Sequence, residues 1–193
     1  MANVDAPHGF RPIRHKNGAP YNGSCNLYYI PSTDATNTFI GDAVIICTTA
    51  TKNMTSDGAP YVQQAAATNE NIVGVVVGFQ PATNADTVYR AGSTARYCYV
   101  APADDIVYEA QVSGYFSATQ VWEYADIVVG TGSTITGLSA MEVNSASATT
   151  AATCRIVRLS TYPNNVFGSS TTDAAGLNAS VEVTFNEHIN VHL

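Results

Sequence analysis

Asn-Ile-Val-Gly-Val-Val-Val-Gly-Phe, residues 71–79, is the most apolar run in the chain. β-Branched residues fill most of its positions, and Gly74 and Gly78 stand near its ends. A short, Val-rich run of this kind is typical of a strand that is buried on both faces. The two glycines predict a bend or a close approach of a neighbouring backbone. We therefore expect this strand to lie at the centre of a β-domain.

Other short segments with strand-like patterns surround the central run, and turn signals separate them. Apolar and polar residues alternate most clearly near the end of the chain, where only Glu187 interrupts the apolar set. Ser117 could cap one short helix over residues 117–125. These patterns predict a mostly β fold, an antiparallel sandwich or barrel of the jelly-roll or β-tulip kind. The expected strands are 24–30, 43–49, 61–64, 71–79, 95–100, 106–112, 127–129, 138–143, 153–160 and 181–193.

The composition excludes several classes of function. The 193 residues fit one domain, and only 12% of them are charged, about half the usual share. A β-protein with much of its surface against neighbouring molecules would have such a composition. The net charge of −7 argues against nucleic-acid binding. No apolar run approaches the roughly 20 residues that span a bilayer, and no secretory leader is visible, so we expect a soluble protein made in the cytoplasm.

The first 23 residues differ from the remainder, so we divide the chain into an arm, 1–23, and a body, 24–193. Pro and Gly recur along the arm, which predicts an extended segment without regular structure. The arm is slightly basic whereas the body is acidic, and it also carries apolar side chains. Two alternatives follow: the arm becomes ordered on a partner's surface, or it packs on its own domain.

No motif for catalysis, a cofactor or a metal is present, and we expect no enzyme. The four cysteines lie far apart in sequence, which disfavours zinc, and Cys47 and Cys98 fit buried strand positions. His188 and His192 would stand about 13 Å apart along a strand, too far to share an ion. Asp104, Asp105 and Glu109 lack the spacing of a calcium loop, and we interpret them as surface carboxylates.

The eleven tyrosines are the strongest positive signal in the composition. Tyr gives a large contact area with a polar tip and is enriched in protein interfaces. Tyr21, Tyr28 and Tyr29 cluster in the arm and the first strand, and a second group surrounds Tyr97 and Tyr99. An interface role and an ordinary place in the core and its rim both remain open.

Several phrases of the sequence resemble a group of tailed-phage virion proteins. The first two are Pro-His-Gly-Phe-Arg-Pro-Ile-Arg at 7–14 and Asn-Gly-Ala-Pro-Tyr-Asn-Gly at 17–23. Similar phrases occur at 28–34, 40–44, 72–79, 89–96 and 136–139. Ala43 stands where the group's pattern leads us to expect Pro. The resemblance spans most of the chain and rests on turn and strand phrases.

The resemblance implies a head decoration, or cement, protein on the capsid exterior. Such a protein binds the major capsid protein, bridges neighbouring capsomers and forms a homo-oligomer, with a trimer favoured over a dimer. Two alternatives are another virion component of the neck, tail or fibre base, and a carbohydrate-binding β-module on the virion surface. The interface residues that we expect are Phe10, Arg11, Ile13, Arg14, Tyr21, Tyr28 and Tyr29.

Overall fold

The computed structural model describes residues 3–48, 50, 53–66, 71–83, 86–146 and 152–189. Twelve strands are defined in this part of the chain, together with two 3₁₀ turns at Ala118–Gln120 and Ala174–Gly176. The strands are β1 (Arg11–His15), β2 (Asn26–Ile30), β3 (Ala43–Ile46), β4 (Val62–Gln64), β5 (Ile72–Phe79), β6 (Arg96–Pro102), β7 (Ile106–Gln111), β8 (Tyr124–Ala125), β9 (Ile127–Val128), β10 (Glu142–Val143), β11 (Cys154–Leu159) and β12 (Ser180–Phe185).

Ten of these strands form two antiparallel five-stranded sheets that pack as a sandwich. Sheet 1 has the order β1-β7-β12-β11-β8, and sheet 2 has the order β2-β6-β5-β3-β4. β9 and β10 form a separate two-stranded sheet, and Val143 of β10 also bridges to Val112 after β7. The predicted antiparallel sandwich is therefore confirmed.

Sheet 2 carries an apolar cluster on each face. Its inner face meets sheet 1 across a core that includes Ile72, Val75 and Ala101. Its outer face carries a second apolar cluster, whose members include Val44, Val76 and Cys98. Ile72 and Val75 of β5 contribute to the inner core and Val73 and Val76 to the outer cluster, which explains why the strand is apolar at nearly every position.

The central position of β5 is also confirmed. Residues 72–76 are all buried, and β5 pairs with β3 on one side and β6 on the other. A Cβ atom added to Gly74 would lie 2.0 Å from the backbone oxygen of Ala101, so this glycine permits a close approach of β6. The register also shifts twice along β5, next to Gly74 and between Val76 and Gly78, as expected for a strand that bends at its glycines.

The described part of the arm lies on the body of the same chain. β1 is an edge strand of sheet 1 and pairs with β7, contrary to the expectation that residues 1–23 hold no regular element. Phe10 is only 1% exposed, and its ring centroid lies 5.2 Å from that of Phe185 in the inner core, with the rings tilted. In this chain by itself, the arm packs on its own domain and completes both a sheet and the core.

The expected helix over 117–125 is wrong. A 3₁₀ turn covers only Ala118–Gln120, and the Gln120 side chain accepts a hydrogen bond from the Ser117 amide at 2.8 Å. Val121 is already extended, and the Trp122 amide donates to the carbonyl of Ile156 at 2.8 Å. Pairing with β11 therefore wins over a helix that was too short to be stable alone.

The last predicted strand is too long. β12 ends at Phe185, and the amides of Asn186 and Glu187 both turn to the carbonyl of Thr153. The chain then crosses to sheet 2, where the Ile189 amide donates to Ile72. The break in the apolar pattern at Glu187 marks this departure, and residues 190–193 lie outside the described part.

None of the four cysteines forms a disulfide bond within the chain. Cys47, Cys98 and Cys154 are buried, whereas Cys25 is exposed. Burial raises the pKa of the Cys98 thiol to about 12. The interpretation of Cys47 and Cys98 as small buried residues in strands is confirmed for Cys98, and Cys47 is buried directly after β3.

Candidate functional site

A row of four charged residues crosses the outer face of sheet 1. Arg11 on β1 pairs in register with Glu109 on β7, Glu109 with Glu182 on β12, and Glu182 with Arg158 on β11. Arg11 donates to Glu109 at 2.9 Å, and Arg158 forms an ion pair with Glu182 at 2.7 Å. Residues in register on adjacent antiparallel strands share one face, so the row follows from the strand order.

The two central carboxylates need the arginines around them. Glu109 and Glu182 are each only 4% exposed and stand side by side, an arrangement that is unfavourable for like charges. Arg14 donates a further hydrogen bond to Glu182 at 2.8 Å. Burial raises the pKa of Glu182, but the hydrogen bonds from Arg158 and Arg14 outweigh it and leave that pKa below its ordinary value. The interpretation of Glu109 as a surface carboxylate is therefore wrong.

Aromatic side chains flank the row at both ends. At one end, the Tyr162 hydroxyl accepts from Arg11 and donates to Glu109 at 2.7 Å. At the other, the Arg155 guanidinium lies 5.2 Å from the ring centroid of Trp122 and 5.5 Å from that of Tyr124. Both distances are within the range of cation–π attraction.

Trp122 is the most unusual residue on this face. Its side chain is 59% exposed, and its backbone has a φ of 71°, a conformation that bulky residues rarely adopt. A left-handed backbone costs a residue other than Gly about 1–2 kcal/mol. An exposed aromatic residue held in this strained form is a candidate for function.

We call this surface the arginine–aromatic face. It carries four of the six arginines in a chain with a net charge of −7. Sequence reasoning found Arg11 and Arg14 from the basic arm, but it placed Trp122 in a helix and did not single out Arg155 or Arg158. The members of the face are Arg11, Arg14, Trp122, Tyr124, Arg155, Arg158 and Tyr162.

An apolar groove of about 570 Å³ opens beside the arginine–aromatic face, between the arm and sheet 2. Phe10, Arg11 and Tyr21 line it from the arm, and Val77 and Leu138 are among the residues that line it from the body. Three of the seven predicted interface residues therefore meet at this groove. Arg11 belongs to both the groove and the face.

The other predicted interface residues lie elsewhere. Ile13 is half-buried at the bulge of β1, and its carbonyl accepts from the Tyr21 amide at 3.2 Å. Tyr28 packs against the outer cluster of sheet 2. Tyr29 contacts Tyr61 and Tyr97 in a separate cleft.

The carboxylates that the sequence grouped together have different partners. Asp105 contacts the His15 ring at 2.6 Å, whereas Glu109 is on the charged row. Within the described ranges, no group of three His, Cys, Asp or Glu side chains is arranged to hold a metal ion. His192 lies outside those ranges, so its distance from His188 is not defined.

One buried carboxylate lies directly behind the groove. Asp42, next to the lining residue Gly41, is 1% exposed, and burial raises its pKa to about 6. Its Oδ2 accepts from the Phe39 amide at 2.8 Å and the Gln64 amide group at 2.9 Å, which lower the pKa only in part. Its Oδ1 is buried without a hydrogen bond, although the Ser139 hydroxyl lies nearby.

Asp42→Asn is expected to make the protein less sensitive to pH. The folded pKa is above the unfolded value of 3.8, so ionisation of Asp42 disfavours the folded state as the pH rises from about 4 to about 6. From below to above that range, the stability of the variant relative to the wild type should rise by about 3 kcal/mol. Denaturant unfolding of both proteins at pH 4 and pH 7.5 measures the free-energy difference between them. An equal difference at the two pH values would contradict the prediction.

The comparisons with known proteins identify no relative. No family model matches the chain, and no curated protein or solved structure matches it either. No helix in the described ranges is long and apolar enough to cross a membrane. The fold and the surfaces above therefore carry the functional argument.

Proposed function

We propose that this chain is a virion structural protein that binds the outside of a tailed-phage major capsid shell and bridges neighbouring capsomers. The observation that carries the proposal is the arginine–aromatic face on an otherwise acidic protein. Arg, Trp and Tyr are the residues that dominate the binding energy of protein interfaces. A protein surface with exposed carboxylates complements this face in charge.

The groove gives the same surface an apolar component. Arg11 lines the groove and is also the first member of the charged row. A partner can therefore insert an apolar side chain into the groove while its carboxylates meet the arginines. Buried apolar area contributes roughly 25 cal/mol per Å², and repetition of the contact over a shell makes a modest single contact strong.

The strain at Trp122 supports the same assignment. The Trp122 amide is fixed to Ile156, and Arg155 donates from Nε to the Trp122 carbonyl at 3.2 Å. These bonds hold the indole in the solvent next to a guanidinium. Such an aromatic and arginine pair is already ordered before a partner arrives, so little conformational entropy is lost on binding.

The self-association implied by a shell lattice remains a prediction. A homo-oligomer, as a trimer or alternatively a dimer, would repeat the arginine–aromatic face about a symmetry axis. Low overall charge, with 12% charged residues, favours such close contact between copies.

The proposal is tested with heads that lack this protein. The double variant Trp122→Gly with Arg155→Ser removes the aromatic and the cation, and Gly accepts the left-handed backbone without strain. We expect at least a 30-fold weaker binding to shells, since two hot-spot residues together contribute 2 kcal/mol or more. Ile135→Ala is the control, because Ile135 is 88% exposed and lies outside the face. Sedimentation gives the copy number per head, and the disruption temperature of the head gives the stabilisation.

Deletion of the arm is a poorer test, because Phe10 belongs to the core and its loss would disturb the body. Full shell occupancy by a folded double variant would overturn the proposal. Binding of the wild type to isolated tails or necks, and not to heads, would instead favour the alternative of another virion component.

A further inference from the structure

A second, separate cleft of about 560 Å³ lies on the inner face of sheet 2, past the end of sheet 1. Tyr97, Tyr99 and Ala101 alternate along one face of β6, and only Ala101 is in the core between the sheets. Tyr99 is 37% exposed, so sheet 1 does not reach this end. The described residues that line the cleft are Tyr29, Met54, Thr55, Ser56, Tyr61 and Tyr97.

Three tyrosine rings form one continuous wall of the cleft. The ring of Tyr29 lies 4.9 Å from Tyr97 at an interplanar angle of 66°, and 5.2 Å from Tyr61 at 35°. Because the rings contact one another, they leave no space between them for a ligand. A ligand must therefore lie against the wall as a flat, partly apolar body.

A carboxylate and two hydroxyls stand at the edge of the wall. Asp57 Oδ2 accepts from the Tyr97 hydroxyl at 2.7 Å, and Asp57 Oδ1 accepts from Thr55. These hydrogen bonds lower the pKa of Asp57, so its ionised form prevails at neutral pH. An ionised carboxylate only accepts hydrogen bonds, and it therefore selects a ligand that donates them.

The cleft is held in shape before any ligand arrives. Residues 53–61 form a hairpin in which the Thr55 amide donates to Ala59 and the Tyr61 amide to Asn53, each at 2.9 Å. The Tyr29 amide on β2 donates to Pro60 at 2.9 Å and ties this hairpin to sheet 2. A preformed cleft between 300 and 1,000 Å³ is typical of small-ligand sites.

We propose that this cleft binds a neutral saccharide. The apolar C–H face of a sugar ring packs on the tyrosine wall, and sugar hydroxyls donate to Asp57 and exchange hydrogen bonds with Thr55 and Ser56. None of the described lining residues is basic, which disfavours phosphate and sulfate ligands. A quaternary ammonium ion requires a cage of separated rings, and the tyrosines here are in contact. The site shares no residue with the arginine–aromatic face, so the inference does not depend on the proposed function.

The test begins with the full chain on an array of neutral hexose, deoxyhexose and N-acetylhexosamine glycans. Saturation-transfer NMR with the methyl glycosides of glucose, galactose and N-acetylglucosamine follows. We expect retention of at least one glycan class. Asp57→Asn and Tyr61→Ala should each weaken that binding at least tenfold. Tyr115→Ala is the control, since Tyr115 is 38% exposed but lies outside the cleft.

Asp57→Asn should keep the fold because Asp57 is exposed, and the loss of its hydrogen bonds from Thr55 and Tyr97 should lower the unfolding midpoint only slightly. Three outcomes would overturn the inference. They are the absence of any glycan signal at millimolar concentration, undiminished binding by both cleft variants, and a preference for tetramethylammonium over every sugar. Shell binding by Asp57→Asn should be unchanged, which separates a failure here from a failure of the proposed function.

Discussion

Gly74→Ala is expected to destabilise the protein by at least about 3 kcal/mol, at the upper end for a single added methyl group. The new Cβ would lie 2.0 Å from the Ala101 carbonyl oxygen and 2.7 Å from a Val100 methyl. The oxygen belongs to the backbone of β6 and cannot move without breaking the β5–β6 pairing. Since β5 and β6 join both halves of sheet 2, the whole domain should unfold at a lower denaturant concentration.

Gly78→Ala supplies a matched control in the same strand. Its added Cβ would meet only a Tyr99 ring carbon at 3.9 Å, which is an ordinary contact. We expect Gly78→Ala to raise the free energy of unfolding by no more than about 1 kcal/mol, because Ala restricts the unfolded chain more than Gly does. The denaturant midpoints of the wild type, Gly74→Ala and Gly78→Ala measure these differences. Equal midpoints for the two variants would show that the backbone approach at Gly74 is not tight.

Arg90→Met is the second variant with a large expected effect. Arg90 has no exposed surface, and its guanidinium donates to four carbonyl oxygens, those of Pro31, Asp34, Thr36 and Thr94, at 2.6 to 2.7 Å. It also lies 3.4 Å from the Asp34 carboxylate. Removal of the guanidinium leaves a buried charge and several buried carbonyls without a partner, which costs about 3–5 kcal/mol.

The effect of Arg90→Met should be visible as a fall in Tm of roughly 10 °C for a domain of this size. Arg155→Met removes the same charge from an exposed side chain that donates to the Trp122 carbonyl, and it should cost no more than about 1 kcal/mol. Arg90→Lys should recover only part of the loss, because an ammonium group cannot reproduce the planar fork of donors. Similar Tm values for Arg90→Met and Arg155→Met would contradict the role of the buried guanidinium.

The sequence predicted the β elements well because their signals are local. Alternating apolar and polar residues, together with β-branched residues, identified β5, β6, β7, β11 and β12 in the sequence. Three errors arose where long-range pairing decided the structure. Arg11–His15 of the arm form β1 beside β7, and residues 122–125 pair with β11 instead of forming a helix. The chain beyond Phe185 crosses to sheet 2.

The candidate site was predicted only in part for the same reason. A basic arm pointed to Arg11 and Arg14, but the charged row unites residues from β1, β7, β11 and β12, and only the strand order brings them together. The spacing of Arg155 and Arg158 in one strand was a signal that sequence reasoning could have used. No sequence pattern predicts the positive φ of Trp122, because tertiary contacts hold its backbone in the strained conformation.

The order of strands in the two sheets also affects when each sheet can form during synthesis. Sheet 2 uses only residues between Asn26 and Pro102, so all its strands are available once the first half of the chain has emerged. Sheet 1 places β12, its last strand in sequence, between β7 and β11. β1 is therefore made first but waits for β7, because Arg11 and its partner Glu109 are 98 residues apart, and such non-local pairing is intrinsically slow. Until β12 joins β7 to β11, sheet 1 is incomplete and leaves part of the inner face of sheet 2 open to association with other chains.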